Sequence, residues 1–121
     1  MSEPILYGIE NCDQVRLARK WLREHGIAVR FHDLRRDGLH RDRVRAWLTQ
    51  QPWDRLVNRR GLAWRKLDAR QRDAVTDADS ALAVLLAEPL LVKRPVLEHR
   101  SGLLIGFSEA DYLNTFGDHT P

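Results

Sequence analysis

Apolar stretches of two kinds alternate along the first third of the chain. Residues 5–9 form a short continuous apolar run, which predicts a buried strand. Residues 13–25 repeat apolar side chains at helical spacing and stop at Gly26, which predicts a helix with a glycine C-terminal signal. The repeated positions are Val15, Ala18 and Leu22. Residues 27–34 alternate apolar and polar side chains, so a second strand follows, and the two strands are expected to be parallel in a βαβ unit.

The middle of the chain has a helical pattern on both sides of an irregular stretch. Residues 40–51 and residues 77–89 each place apolar side chains on one stripe, which predicts two helices. The stripes consist of Val44, Trp47 and Leu48 in the first and Leu82, Leu85 and Leu86 in the second. Residues 53–68 show no clear period and are rich in arginine, so we expect irregular structure between the helices.

The last third of the chain returns to strands. Residues 94–99 and residues 102–107 are two apolar segments joined by the short turn "RSG", which is a hairpin signal. Ser108 then offers an N-cap, with Asp111 at the capping-box position, and so begins a last helix. Its apolar positions are Tyr112, Leu113 and Phe116.

The order of these elements is β-α-β, a helical insertion, then β-β-α. A parallel pair joined to an antiparallel hairpin, with flanking helices, predicts an α/β thioredoxin-like (glutaredoxin-like) sandwich. The chain has 121 residues, of which 43% are hydrophobic, a size that suits one domain with one core. We therefore expect a single domain over residues 1–121, with the helical insertion at about residues 38–90.

Composition and charge exclude several classes of function. The formal net charge is +3, but arginines alternate with acids, as in "LRRDGLHRDRVR", so a solvated mixed-charge face is favoured over a nucleic-acid partner. One cysteine and scattered histidines do not provide the spacing of a metal site, and we expect no tightly bound cofactor. The start "MSEPILYG" is not a signal peptide, and no segment approaches a membrane span. We expect a cytoplasmic protein with a reduced thiol.

The single cysteine, Cys12, lies where the first strand meets the first helix. A helix N-terminus presents unsatisfied N–H groups and a partial positive charge, which stabilise a thiolate. Arg16 lies one turn further on and could face the same place, whereas the carboxylate of Asp13 opposes the effect. Cys12 is therefore a candidate nucleophile, and a buried, inert cysteine is the alternative.

Arginines near two other motifs are candidates for binding anions. Arg94 precedes Pro95 at the entrance to the third strand, where thioredoxin-like folds have a cis-proline loop that faces the thiol. Arg59 and Arg60 lie in "NRRG", within the irregular stretch. Guanidinium groups bind oxyanions and carboxylates through two hydrogen bonds at once. The alternative for each arginine is an ordinary surface charge.

The ordered motifs "YGIENCD", "ARKWL", "FHDLRRDGL", "NRRGLAWRKL", "LVKRPVLE" and "GFSE" span nearly the whole chain. In this order and spacing the chain resembles the arsenate reductase (ArsC)/Spx family, most closely its small YffB-type branch. The resemblance implies a thioredoxin-like fold with a helical insertion and a cysteine nucleophile at Cys12. It also implies a cis Arg94–Pro95 peptide bond, with Arg94 as an oxyanion-binding arginine and Arg60, in preference to Arg59, as a second.

Two departures from the family pattern qualify that resemblance. The reductases' third arginine has no counterpart here, because Gly106 stands near its expected place. The Spx regulators usually contain a C-x-x-C switch, of which "CDQV" retains only the first cysteine. The predicted anion- or glutathione-binding residues are Arg94, Arg60, Arg59, Arg16, Pro95 and Asn11.

These residues predict a glutathione-dependent thiol reductase-like protein. Cys12 would form a mixed disulfide that an external thiol resolves, with glutathione as the co-substrate. The substrate would be a small thiol, a disulfide or an oxyanion, with poor activity on arsenate itself. The alternative is an Spx-like regulator that binds a protein partner of the transcription machinery without turnover.

Overall fold

The structure is a computed structural model, and it describes residues 3–117; residues 1–2 and 118–121 of the predicted domain lie outside that range. The described residues form two compact units. One unit, here called the sheet unit, contains residues 3–33 and 94–117, and the other, the helical unit, contains residues 34–93. Within the described range, none of the helices is both long enough and apolar enough to cross a membrane.

A four-stranded sheet forms the centre of the sheet unit, with the strand order β2-β1-β3-β4. The strands are β1 (Ile5–Gly8), β2 (Arg30–Asp33), β3 (Val96–His99) and β4 (Gly102–Ile105). β1 and β2 are parallel, whereas β3 is antiparallel to both β1 and β4. The predicted βαβ unit and hairpin are therefore confirmed, although each strand is shorter than its apolar segment.

Two helices cover one face of this sheet. They are α1 (Asp13–Glu24) and α8 (Glu109–Phe116). Leu6 and Leu97 are paired across β1 and β3, so both side chains point to the same face, and both belong to the buried core. The helices complete that core with Val15, Ala18, Trp21, Leu22 and Tyr112. The rings of Trp21 and Tyr112 meet edge to face with centroids 5.5 Å apart, which fixes α1 against α8.

α1 approaches β1 closely because Gly8 has no side chain. A Cβ atom at Gly8 would lie 2.6 Å from the Cγ2 atom of Val15, well inside van der Waals contact. Val15 is fully buried, so its methyl groups have no free space to move into. The glycine at the end of β1 therefore sets how closely the first turn of α1 packs on the strand.

α8 begins as the sequence predicts. The Ser108 hydroxyl oxygen accepts a 3.3 Å hydrogen bond from the backbone N–H of Asp111, which confirms Ser108 as the N-cap. The buried Tyr112 follows one turn later and faces the core. The cap therefore sets where the helix begins and brings its apolar side onto the sheet.

The helical unit consists of short helices. They are α2 (Leu34–Asp37), α3 (Arg41–Gln50), α4 (Trp53–Leu56), α5 (Leu62–Arg65), α6 (Ala69–Asp73) and α7 (Ala78–Ala87), followed by a 3₁₀ turn (Pro89–Leu91). α3 and α7 confirm the two predicted helices. The expectation that residues 53–68 are irregular is wrong, because α4 and α5 lie there. Helices of four residues are too short to show a periodic apolar stripe.

Two distant segments of the helical unit pair through their backbones. Val57 and Val92 form an antiparallel bridge. On either side of it, the Lys93 N–H donates to the Leu56 carbonyl at 2.8 Å, and the Asn58 N–H donates to the Leu91 carbonyl at 2.7 Å. Leu56, Val57, Leu91 and Val92 are all buried. This short ladder therefore holds the segment after α4 against the segment after the 3₁₀ turn.

Candidate active site

Cys12 is the N-cap residue of α1, which confirms its predicted place. Its backbone is extended, with φ −148° and ψ 123°, and its carbonyl accepts the first helical hydrogen bond from the Arg16 N–H at 3.0 Å. The thiol is free and half-buried, packs against the core of the sheet unit, and makes no capping hydrogen bond. The N–H groups of the first turn thus remain available to stabilise negative charge at the helix end.

Arg16 bridges the two residues that flank Cys12 in sequence. One guanidinium nitrogen donates to the Asp13 carboxylate at 2.9 Å, and the other donates to the Asn11 side-chain oxygen at 2.9 Å. The side chains of Arg16 and Asp13 are 58% and 91% exposed, so their ion pair contributes at most about 1 kcal/mol. The ion pair thus offsets the charge of the Asp13 carboxylate, which directly follows Cys12 in sequence.

The Arg94–Pro95 peptide bond is cis, as predicted. Tyr7 pairs with Val96 in the antiparallel register of β1 and β3, so the end of β1 and the beginning of β3 lie at the same edge of the sheet. Pro95 directly precedes that pair, and Cys12 lies just beyond the end of β1. The loop containing Pro95 and the beginning of α1 therefore share this edge of the sheet unit.

Gly106 lies at the same edge, at the end of β4. Its backbone N–H donates a 2.8 Å hydrogen bond to the carbonyl of Pro95, and its φ is +77°. Side-chain-bearing residues adopt such a φ at a cost, so a glycine suits this position. A tight backbone turn thus occupies the place where the family resemblance leads one to expect a third arginine.

The core behind this edge is apolar and aromatic. Tyr112 is fully buried, and within residues 3–117 its hydroxyl has no hydrogen-bond partner. Burial raises the pKa of Tyr112 far above its usual value, so its phenol stays neutral at any physiological pH. The Phe107 ring meets that of Tyr112 edge to face at 4.9 Å. Tyr112 is therefore a structural residue of this core.

The arginines of "NRRG" are held in a tight turn of the helical unit. The Asn58 side-chain oxygen accepts a 3.1 Å hydrogen bond from the Arg60 N–H, and Gly61 passes so close to Asn58 that a Cβ atom there would lie 2.7 Å from its amide nitrogen. The Arg59 guanidinium lies over the Trp53 ring, 5.4 Å from its centroid. The turn thus fixes the backbone of Arg60, and the predicted anion-binding roles of both arginines stay predictions.

A cleft of about 420 Å³ opens beside that turn. Its lining residues are Asp54, Arg55, Val57, Asn58, Arg59, Arg60 and Lys93. Four of these are cations and one is a carboxylate, so an anion is the complementary ligand. Arg55 and Lys93 carry no local sequence signal of this site, because the pairing of Val57 with Val92 brings their segments together.

Metal-binding side chains do not cluster in the described part of the chain. Within residues 3–117, no group of three or more His, Cys, Asp or Glu side chains is arranged to hold a metal ion.

Comparison with known proteins identifies the family. The ArsC family profile matches residues 7–115. The chain belongs to the ArsC family. An uncharacterized protein of Haemophilus influenzae is 43% identical over 111 residues, which cover 92% of this chain and 96% of that protein. The global transcriptional regulator Spx of Listeria innocua is more distant, with 28% identity over 111 residues, 86% of this chain and 79% of Spx.

Two solved structures have the same fold as this chain. The YFFB protein is 40% identical, with a TM-score of 0.87 over 92% of this chain and 96% of its own. An arsenate reductase (ArsC) related protein from Brucella melitensis is 42% identical, with a TM-score of 0.72 over 96% of both chains. The predicted α/β thioredoxin-like fold and the family resemblance are thereby confirmed.

Within this ArsC-family chain, the predicted site residues lie in both units. The sheet unit contains Asn11, Cys12, Arg16, Arg94 and Pro95. The helical unit contains Arg59 and Arg60. The first group shares one edge of the sheet through the register of β1 and β3, and the second group lines the cationic cleft.

Proposed function

We propose that the chain is a glutathione-dependent thiol reductase-like protein that uses Cys12 as its nucleophile. The observation that supports this most is the place of Cys12 at the N-cap of α1, with no capping hydrogen bond and with Arg16 bridging its neighbours. Membership of the ArsC family, and the related protein described as an arsenate reductase (ArsC) related protein, support thiol-based reduction as the class of reaction.

The proposed cycle needs only one protein thiol. The Cys12 thiolate attacks one sulfur of a glutathione-containing disulfide, a protein–glutathione mixed disulfide forms, and the other half leaves as a thiolate. A second glutathione thiolate then attacks the glutathione sulfur of this mixed disulfide. Oxidised glutathione leaves, and the Cys12 thiolate is regenerated. Each turn thus consumes one reduced glutathione, and the half of the substrate that leaves in the first step is released as the reduced thiol product.

The surrounding residues have supporting roles in this proposal. Arg16 and the first turn of α1 stabilise the Cys12 thiolate, both as attacking group and as leaving group. Arg94 and the Pro95 loop bind the carboxylates and the peptide-like backbone of glutathione, together with Asn11. A role of Arg60, or of Arg59, in binding an anionic group is also part of the proposal.

Arsenate is proposed to be a poor substrate. Gly106 supplies no guanidinium where the family resemblance implies a third arginine, so one charged hydrogen bond to the oxyanion is lost. Such a bond is worth about 1.5–3 kcal/mol, which corresponds to about one to two orders of magnitude in rate if it acts in the transition state.

A coupled assay tests the proposal. Purified protein is mixed with reduced glutathione and hydroxyethyl disulfide, and the oxidised glutathione formed is followed through glutathione reductase. We expect turnover above the uncatalysed rate that disappears in the Cys12→Ser variant. Equal rates for both proteins would overturn the proposal. Arsenate in place of the disulfide should give turnover at least about tenfold slower.

A protein-binding function of a different class is the alternative. The relatives that include the global transcriptional regulator Spx support it, since a regulator needs a folded surface and no turnover. The C-x-x-C pattern is incomplete here, because Val15 follows where the second cysteine would stand, so a redox switch through an internal disulfide is not available to this chain. Saturable binding to RNA polymerase that survives Cys12→Ser, with no glutathione turnover, would favour this alternative.

A further inference from the structure

The cationic cleft of the helical unit has the form of a small-molecule site. Its volume of about 420 Å³ lies within the range of about 300–1,000 Å³ that is typical of ligand pockets. Val57 and Asn58 are the least exposed of its lining residues, whereas the five charged ones are exposed. The charged side chains of the cleft are therefore open to solvent, and the less exposed Val57 and Asn58 form its base.

The backbone around the cleft is fixed before any ligand arrives. The Lys93 N–H donates to the Leu56 carbonyl at 2.8 Å, which holds Lys93 directly opposite the end of α4. The Arg55 N–H donates to the Pro52 carbonyl at 3.0 Å within that helix. Asn58 and Gly61 fix the turn that contains Arg60. A site with a fixed backbone loses little conformational entropy on binding.

The cations of this cleft are not neutralised by the protein. Within residues 3–117, the head groups of Arg55, Arg60 and Lys93 make no hydrogen bond and no ion pair, and Asp54 makes no ion pair with any of them. Arg59 is engaged only by the Trp53 ring. Like charges that converge on one cleft repel each other, and a bound anion would offset that repulsion.

We propose that this cleft binds a small molecule with two adjacent phosphate groups, through Arg55, Lys93 and the arginines of the "NRRG" turn. Four cations and one carboxylate leave an excess of positive charge that a single carboxylate or phosphate would not balance. Arginine forks bind two phosphate oxygens at once, and Lys93 adds a compact point charge. Arg59 and Arg60 also belong to the proposed thiol chemistry, whereas Arg55 and Lys93 do not, and the inference does not depend on Cys12.

Titration calorimetry with the full chain and inorganic pyrophosphate tests the inference. We expect saturable binding at one site, and weaker binding of inorganic phosphate and of citrate. Lys93→Met and Arg55→Met should each weaken pyrophosphate binding about tenfold, as expected for the loss of one charged hydrogen bond. Both side chains are exposed, so neither change should disturb folding. The melting temperature without ligand verifies this.

Lys66→Met is the matched control for the charge change. Lys66 is an exposed lysine of the same unit that does not line the cleft, so its loss should alter the affinity by less than twofold. The Cys12→Ser variant should bind pyrophosphate like the wild type. Absence of saturable binding, an equal loss of affinity in Lys66→Met, or tighter binding of citrate than of pyrophosphate would each overturn the inference.

Discussion

The Gly106 N–H donates a 2.8 Å hydrogen bond to the carbonyl of Pro95, and Gly106 makes this contact at a φ of +77°. The bond joins the end of the hairpin to the proline loop, at the sheet edge beside the start of α1. The residue expected to bind an oxyanion is therefore replaced by a residue that shapes the backbone. An arginine at this position would have to adopt the same positive φ.

We predict that Gly106→Arg destabilises the protein by about 1–2 kcal/mol, because an L-residue at positive φ brings its Cβ atom close to the backbone. Denaturant unfolding measures the change in the free energy of unfolding. Gly106→Asn should lose less stability, since asparagine adopts positive φ more readily than other residues with a side chain. An arginine variant as stable as the wild type would contradict this account of the turn.

The close packing of α1 on β1 predicts a strong coupling between Gly8 and Val15. Gly8→Ala should destabilise the protein by about 1–3 kcal/mol, because the added methyl group would lie 2.6 Å from the Val15 side chain. The same change should cost less in a Val15→Ala background, where that contact is gone. A double-mutant cycle of unfolding free energies tests this, and additive effects would refute the contact.

The environment of the thiol predicts its reactivity. We predict that iodoacetamide alkylates Cys12 at pH 7 faster than it alkylates free glutathione, since Cys12 lies at the N-terminus of α1. Arg16→Gln should slow alkylation about twofold to fivefold, which is the size expected of one exposed charge. Arg23→Gln, in the last turn of the same helix, removes an equal charge away from the thiol and should change the rate less. Equal effects of the two variants would remove the local role of Arg16.

The environment of His99 predicts that the folded protein loses stability in mild acid. Burial lowers the pKa of His99 below its ordinary value of 6.5. Its Nδ1 also accepts a hydrogen bond from the Ser101 N–H at 3.2 Å, which needs the unprotonated nitrogen. The unfolded chain therefore takes up this proton at a higher pH than the folded chain does. The contribution of His99 is complete above about pH 6.5 and is lost as the pH falls from there through the folded-state pKa.

Unfolding free energies at pH 8 and pH 5 test this sign. His99→Gln should reduce the difference between the two pH values, since it removes the group that titrates. Asp77, whose pKa is lowered from 3.8 by hydrogen bonds from Ser80, titrates below this window and should not interfere. An unchanged pH dependence in the variant would show that other groups cause it.

Periodicity predicted the sheet unit better than the helical unit. The apolar run of β1 and the apolar stripe of α1 are long enough to be recognised in the sequence. The hairpin is recognisable from the "RSG" turn between its two apolar segments. α4 and α5 were missed because four residues make little more than one turn. By contrast, α6 begins with a capping box of Asp68 and Gln71, which is a local signal that the sequence does contain.

The site residues likewise differ in whether a local sequence pattern marks them. Cys12 was identifiable because a strand-to-helix junction is a local pattern, and the Arg94–Pro95 cis bond followed from the motif around it. Arg55 and Lys93 carry no local signal. They come together through the backbone bridge between Val57 and Val92, which the apolar pattern of the sequence does not predict. Pairing between segments so distant in sequence is set by tertiary packing.

The most direct test of the proposed chemistry is the intact mass of the protein after exposure to oxidised glutathione at pH 7. We predict that the wild-type protein gains the mass of one glutathione, that reduced glutathione in excess removes it, and that Cys12→Ser gains nothing. A wild-type protein that stays unmodified while a free thiol in the same solution reacts would contradict the assignment of Cys12 as the nucleophile.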